Sequence, residues 1–180
     1  MINYFVFVEG NTDKEFVNNI LSVLFLEKKS IILQPIPYQR RKNDTINKIV
    51  KTAQHSNKLN YFLLSDLDSH TYPCITSRKN RRKEEYRALD YNKIFIVKEE
   101  IESWYVAGVD TQLEQFNGLN IPDNTDNLSK EDVDAIIDNS SFDSSIEFLN
   151  EILKNFNFDL AYKRNTSFRY FIDKFGLNDN

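Results

Sequence analysis

The chain is almost without cysteine: Cys74 is the only one in 180 residues. A single thiol forms neither an internal disulfide nor a cysteine-rich zinc site, so nothing calls for an oxidising compartment. Long apolar runs are missing as well. No stretch approaches the roughly 20 apolar residues that a membrane-spanning helix needs. No basic segment precedes the first apolar stretch, which argues against a signal peptide. The expectation is a soluble, cytoplasmic protein with no membrane association. Internal repeats and low-complexity tracts are also absent, and 180 residues suffice for one domain with a real core, or one domain with a small appendage.

A uniformly basic surface is excluded by the net charge of −4, but that figure hides an asymmetry. Six basic residues (Arg78, Lys79, Arg81, Arg82, Lys83, Arg87) and two acids lie between 78 and 87, a local balance of +4. Residues 110–160 hold twelve acids against Lys130 and Lys154, a balance of −10. The first tract suits the phosphate backbone of a nucleic acid, with Tyr86 or Tyr91 available to stack on a base. Its plainer reading is a solvated helix with internal Glu–Arg pairs. The acidic region suits a protein partner.

Apolar runs at 2–8, 31–36, 59–64 and 93–97 read as strands, and Pro35 puts the second at an edge. Helical spacing follows the first strand, at Phe16, Val17, Ile20, Leu21 and Leu24, with Thr12 and Glu15 as a capping box. A second helix begins near Asp44 and carries Ile46, Ile49, Val50 and Ala53 on one face. Strands alternating with helices predict an α/β fold around a parallel sheet of about four strands. The rest reads as mainly helical. Ser129 with Asp132 opens one helix, 144–155 forms another, and 166–175 ends at Gly176. Residues 120–129, NIPDNTDNLS, read as a flexible loop. The expected division is an α/β core over 1–109 and a helical extension over 110–180 packed on it.

Three of the strands run into acids: Glu9, then Asp66 and Asp68, then Glu99, Glu100 and Glu102. In an open parallel sheet the loops at the carboxyl edge form the ligand crevice. In an extended chain Asp66 and Asp68 would face the same side. Clustered carboxylates are costly without a cation among them. Oxygen ligands without cysteine or paired histidines favour Mg²⁺ or Mn²⁺ over Zn²⁺. His70 is read as a loop histidine, His55 as a cap and Trp104 as core.

The segments VEGNTDKEF, LLSDLDSH and KEEIESWYVAG resemble, in this order, the three motifs of Toprim domains. The last is similar to the Toprim segment of OLD-family (overcoming lysogenization defect) nucleases and their small stand-alone relatives. The resemblance covers residues 2–107. It implies a Mg²⁺- or Mn²⁺-dependent nuclease, with two ions, that hydrolyses phosphodiester bonds of nucleic acid, DNA ahead of RNA, in a setting of host–phage conflict. It implies Glu9 as general acid/base or metal ligand, Asp13 as an accessory ligand, and Asp66 and Asp68 as ligands. Glu100 or Glu102 would complete a second metal site. Lys163 would stabilise charge on the phosphate, with Arg164 as its rival. A carboxylate-to-amide change at Glu9, Asp66 or Asp68 is expected to abolish hydrolysis and leave the fold intact.

The sequence departs from larger relatives. DLDSHT lacks the glycine that follows Asp-x-Asp in topoisomerases and primases, and no Gly-x-x-x-x-Gly-Lys-Ser/Thr motif is present. Water is then the expected nucleophile. Two alternatives are a haloacid-dehalogenase-type phosphatase built on Asp66 and Asp68, and a metal-binding Toprim module that acts by binding a partner without catalysis.

Overall fold

The computed structural model describes residues 1–178. Two compact units are distinguished, Met1–Val97 and a second that begins at Lys98. The division falls after Val97 and not near residue 109.

The first unit is α/β, with four parallel strands in the order β2-β1-β3-β4. The strands are β1 (Ile2–Val8), β2 (Ile31–Pro37), β3 (Leu59–Asp66) and β4 (Ile94–Val97). Pro35 lies in β2, an edge strand, where a missing N–H leaves no gap inside the sheet. Between β1 and β2 the chain winds through α1 (Asn11–Phe16), a π-helical turn (Val17–Leu21) and α2 (Ser22–Lys29). Helix α3 (Asn43–Gln54) joins β2 to β3, and α4 (Ile75–Glu85) lies between β3 and β4.

Alternation along the strands sorts the core. Phe7, Tyr61, Leu63, Ile94 and Ile96 face a cluster with Tyr38, Ile46, Val50, Tyr86 and Leu89. The other face carries Phe62, which stacks on Phe25 of α2 with ring centroids 6.0 Å apart. Both central strands are buried at their carboxyl halves, as expected for a parallel sheet covered on both sides.

The predicted capping box does not open the first helix. Gly10 is the N-cap, and its N–H donates to Asp13 Oδ2 at 3.0 Å. Helix α3 likewise starts one residue earlier than its predicted cap, with Lys42 at the N-cap and Asp44 inside the first turn.

The second unit is helical: α5 (Glu102–Ala107), α6 (Lys130–Asp138), α7 (Ser145–Lys154), α8 (Phe158–Arg164) and α9 (Thr166–Phe175). Helix α5 packs against α6, α7 and α8. Trp104 is buried, and its indole N–H donates to Ser167 Oγ at 2.8 Å. Ser129 and Ser144 cap α6 and α7, and Gly176 closes α9 with φ 59°, as expected from the sequence. The segment predicted to be a flexible loop is tied down instead. Thr125 and Asp126 are buried, and Asp126 accepts from Thr166 N at 2.7 Å, Thr166 Oγ1 at 2.6 Å and Lys98 Nζ at 3.0 Å. These donors outweigh burial and hold the Asp126 carboxyl below its ordinary range. Among the described residues, no helix is long and apolar enough to cross a membrane.

Candidate functional site at the carboxyl edge of the sheet

Strand order locates the crevice. The chain leaves β1 toward β2 on one side and returns past it to β3 on the other, so the connections diverge between β1 and β3. In open α/β sheets ligands bind outside the carboxyl ends of the strands at this switch point. Glu9 follows β1 there, and Ser65 and Asp66 end β3.

The alternation that buries Phe7 and Leu63 puts Glu9 and Ser65 on the same face of the sheet. Glu9 Oε1 accepts from Tyr38 Oη at 2.8 Å, Ser65 Oγ at 2.8 Å, Arg78 Nη2 at 3.0 Å and Arg82 Nη2 at 2.6 Å. The Asp66 backbone N–H adds a longer contact at 3.3 Å. Glu9 Oε2 meets Gln39 Nε2 at 3.2 Å. Burial alone would raise the Glu9 pKa, but Arg82, Tyr38, Ser65 and Arg78 outweigh it and hold the carboxyl below its ordinary 4.5. Burial and the neighbouring Glu9 charge push the Tyr38 phenol well up. Glu9 is thus an anion at neutral pH, which suits a fixed charge or metal ligand better than a proton donor.

Arg78 and Arg82 come from α4, four residues apart and therefore on one helical face. Arg78 Nε also donates to the Asp66 carbonyl at 2.7 Å, and its guanidinium lies 4.4 Å from the Tyr72 ring centroid. Arg82 Nε donates to Ser65 Oγ at 2.8 Å and Nη1 to Glu85 Oε2 at 2.8 Å. Both arginines are buried. The basic tract is therefore split by the helix that carries it. Arg78 and Arg82 turn inward to Glu9, Arg81 pairs with Glu85 at 3.0 Å, and Lys83 Nζ donates to the Arg87 and Leu89 carbonyls beyond the helix. Lys79 lies 5.1 Å from the Tyr91 ring centroid, and Arg87 is exposed.

Asp66, one residue beyond Ser65, takes the opposite face of the sheet from Glu9. The chain does not stay extended to Asp68, which is exposed and left-handed at φ 54°. The extended-chain argument that would align Asp66 with Asp68 therefore does not apply beyond the end of β3. Asp13 is buried, with Oδ2 engaged in capping Gly10. His70 is exposed.

The remaining candidates belong to the second unit. Glu99 is left-handed at φ 54°. Burial raises the Glu102 pKa; Lys130 and Asp134 of α6 act on it in opposite senses. Lys163 is exposed, whereas Arg164 Nη1 donates to the Val109 carbonyl at 2.6 Å. Of the two rivals, Lys163 is the one left to meet a ligand.

Among the described residues, no group of three His, Cys, Asp or Glu side chains is arranged to hold a metal ion. One carboxylate, Glu9, is placed on the cleft to meet a hard cation. Glu9 Oε1 is filled by its donors, Oε2 has a single partner, and Glu9 is among the residues that line an open cleft of about 540 Å³. Mg²⁺ keeps several waters and needs only one or two carboxylates. Glu9 is the group that would hold it there; Asp66, on the opposite face, and Asp68, exposed at a left-handed turn, are not brought to the same point.

The cleft brings in residues that the reading of the acids passed over. Gln39, Arg40 and Arg41 line it with Glu9, Gly10, Asn11 and Pro37. The signal was present: QRRK follows a strand, as the acids do, at the same edge of the sheet.

Comparison with protein-family models, with curated proteins and with solved structures finds no match to this chain.

Proposed function

We propose that this protein is a divalent-metal-dependent phosphodiesterase that hydrolyses nucleic acid, the activity implied by its resemblance to Toprim domains. The observation that carries the reading is Glu9 itself. It sits at the β1/β3 switch point, is fixed as an anion by buried donors, and lines a cleft while its Oε2 has a single partner. A Mg²⁺ or Mn²⁺ ion held by Glu9, with Asp66 and Asp68 as the further ligands that the resemblance implies, would supply Lewis-acid polarisation of a phosphoryl oxygen. Preorganisation by Tyr38, Ser65, Arg78 and Arg82 keeps the Glu9 carboxylate from reorganising when a ligand arrives. Lys163 is proposed as the cation that meets charge developing on the phosphate, and a role in host–phage conflict is what the resemblance adds.

The test is a panel of DNA and RNA substrates with Mg²⁺ and Mn²⁺, run on the wild type, Asp68→Gly and Lys163→Ala. Asp68 and Lys163 are both exposed, and glycine accepts the φ of residue 68 without strain, so both variants should fold. Metal-dependent cleavage by the wild type, lost in Asp68→Gly and slowed in Lys163→Ala without weaker binding, is the expected result. No cleavage of any substrate with either metal would overturn it.

One observation favours the second reading, a module that binds without catalysis. Arg78 and Arg82 already balance the Glu9 charge, so that carboxylate needs no ion to be stable. Nucleic-acid or metal binding with no turnover in the same panel would select that reading.

A further inference from the structure

A phosphate backbone needs cations that are not already committed to carboxylates. On α4 most are engaged: Arg78 and Arg82 with Glu9, Arg81 with Glu85, and Lys83 with backbone carbonyls. The loop between β2 and α3 is different. Arg40, Arg41 and Lys42 are consecutive and exposed, and no salt bridge holds any of them among the described residues. Arg40 and Arg41 line the cleft that Glu9 enters. Their loop is held in place: Tyr38 N donates to the Val8 carbonyl at 2.9 Å, Arg41 N to the Tyr38 carbonyl at 2.9 Å, and Gln39 Nε2 reaches Glu9 Oε2.

We propose that Gln39, Arg40 and Arg41 form the wall that takes the backbone phosphates of a nucleic acid beside Glu9, a task the sequence alone suggested for the α4 tract. The inference rests on the nuclease reading above. A guanidinium fork matches phosphate oxygens two at a time, and two adjacent arginines can span neighbouring phosphates. The cleft, about 540 Å³, lies within the size range of ligand sites, roughly 300–1,000 Å³. The chain as a whole is acidic, so binding must come from such a local patch. Backbone contacts position without reading sequence, so the wall should take any base order.

The experiment is fluorescence anisotropy of labelled DNA and RNA oligonucleotides in EDTA, which prevents turnover, over a series of salt concentrations. Arg40→Ala with Arg41→Ala should weaken binding at least tenfold on every sequence and flatten the log–log salt slope by about one to two units. Arg81→Ala with Arg87→Ala, both exposed on or just after α4, should leave affinity and slope near wild type. Circular dichroism melting should show both double variants folded, because all four side chains are exposed. If the wild type binds and the Arg40/Arg41 variant binds equally well, the wall is wrong and the nuclease reading stands. Equal losses in both variants also overturn the wall, since diffuse charge would then suffice. If the wild type binds neither DNA nor RNA at low salt, the substrate class and the wall fall together.

Discussion

Glu9 stands between two roles, a candidate ligand and an ion-pair partner, and the second sets the outcome of mutating it. Replacing it with glutamine would leave Arg78 buried without a counter-charge and Arg82 with Glu85 alone, and removing one partner of a buried pair costs about 3–5 kcal/mol. Glu9→Gln is therefore expected to cost stability as well as activity, and urea unfolding at neutral pH should show the loss. The sign of the pH dependence follows from the lowered pKa. This stabilisation is present above the unfolded value of 4.5 and is lost as pH falls through the folded value. Melting temperature should fall on acidification in the wild type, and more gently in Glu9→Gln. Glu102 has the opposite sign, because burial raises its pKa. The native state holds that proton longer, so its contribution to stability declines as pH rises from 4.5 through the folded value. Glu102→Gln should raise the melting temperature at pH 7 and change little in acid.

Helix α4 is the element that joins basic tract and carboxylate. Its two inward arginines fasten it over the ends of β1 and β3, to Glu9, Ser65 and the Asp66 carbonyl. Among the charges, Arg82 does most to keep Glu9 ionised. Arg82→Met should raise the Glu9 pKa, and on the nuclease reading it should move the acid limb of the kcat/KM profile to higher pH. A purely structural arginine would lower the melting temperature without moving that limb. In the helical unit, the end of α5 approaches Phe156 so closely at Gly108 that an added Cβ would overlap the ring. Gly108→Ala should destabilise the protein by about 1–3 kcal/mol, the usual range for overpacking, measurable as a lower midpoint in denaturant.

At the scale of the molecule, strand order sets both stability and site. Strands β1 and β3 each pair on two sides, whereas β2 and β4 are the edges of the sheet. Amides of Val6–Val8 and Phe62–Leu64 are buried, so they should exchange with deuterium only through large-scale unfolding. Exposed edge amides should exchange sooner, as hydrogen-exchange mass spectrometry would show. Pairing β1 with β3 joins residues as distant as Asn3 and Leu59, so most of the sheet depends on long-range closure. Refolding of the α/β unit should therefore be slower than for a helical bundle of similar length, a difference stopped-flow far-UV circular dichroism can follow.

The sequence by itself determined the elements, because their signals are local. Apolar runs marked the four strands, Pro35 marked an edge, and Ser129, Ser144 and Gly176 marked helix ends that depend only on nearby backbone. The alternation that makes Phe7 core also put Glu9 at the end of the same face. Tertiary structure decided the rest, because partners in a folded chain lie far apart in sequence. No local pattern states that Arg78 and Arg82 turn to Glu9, 69 and 73 residues away, or that Asp126 is buried against Thr166. Nor does spacing reveal that the backbone turns left-handed at Asp68, ending the alternation that would have aligned it with Asp66. A cation reads the same in sequence whether it is paired or free. Only packing decided that the arginines of α4 are largely committed and those of the β2–α3 loop are not, since a buried charge keeps its energy low only beside an opposite one.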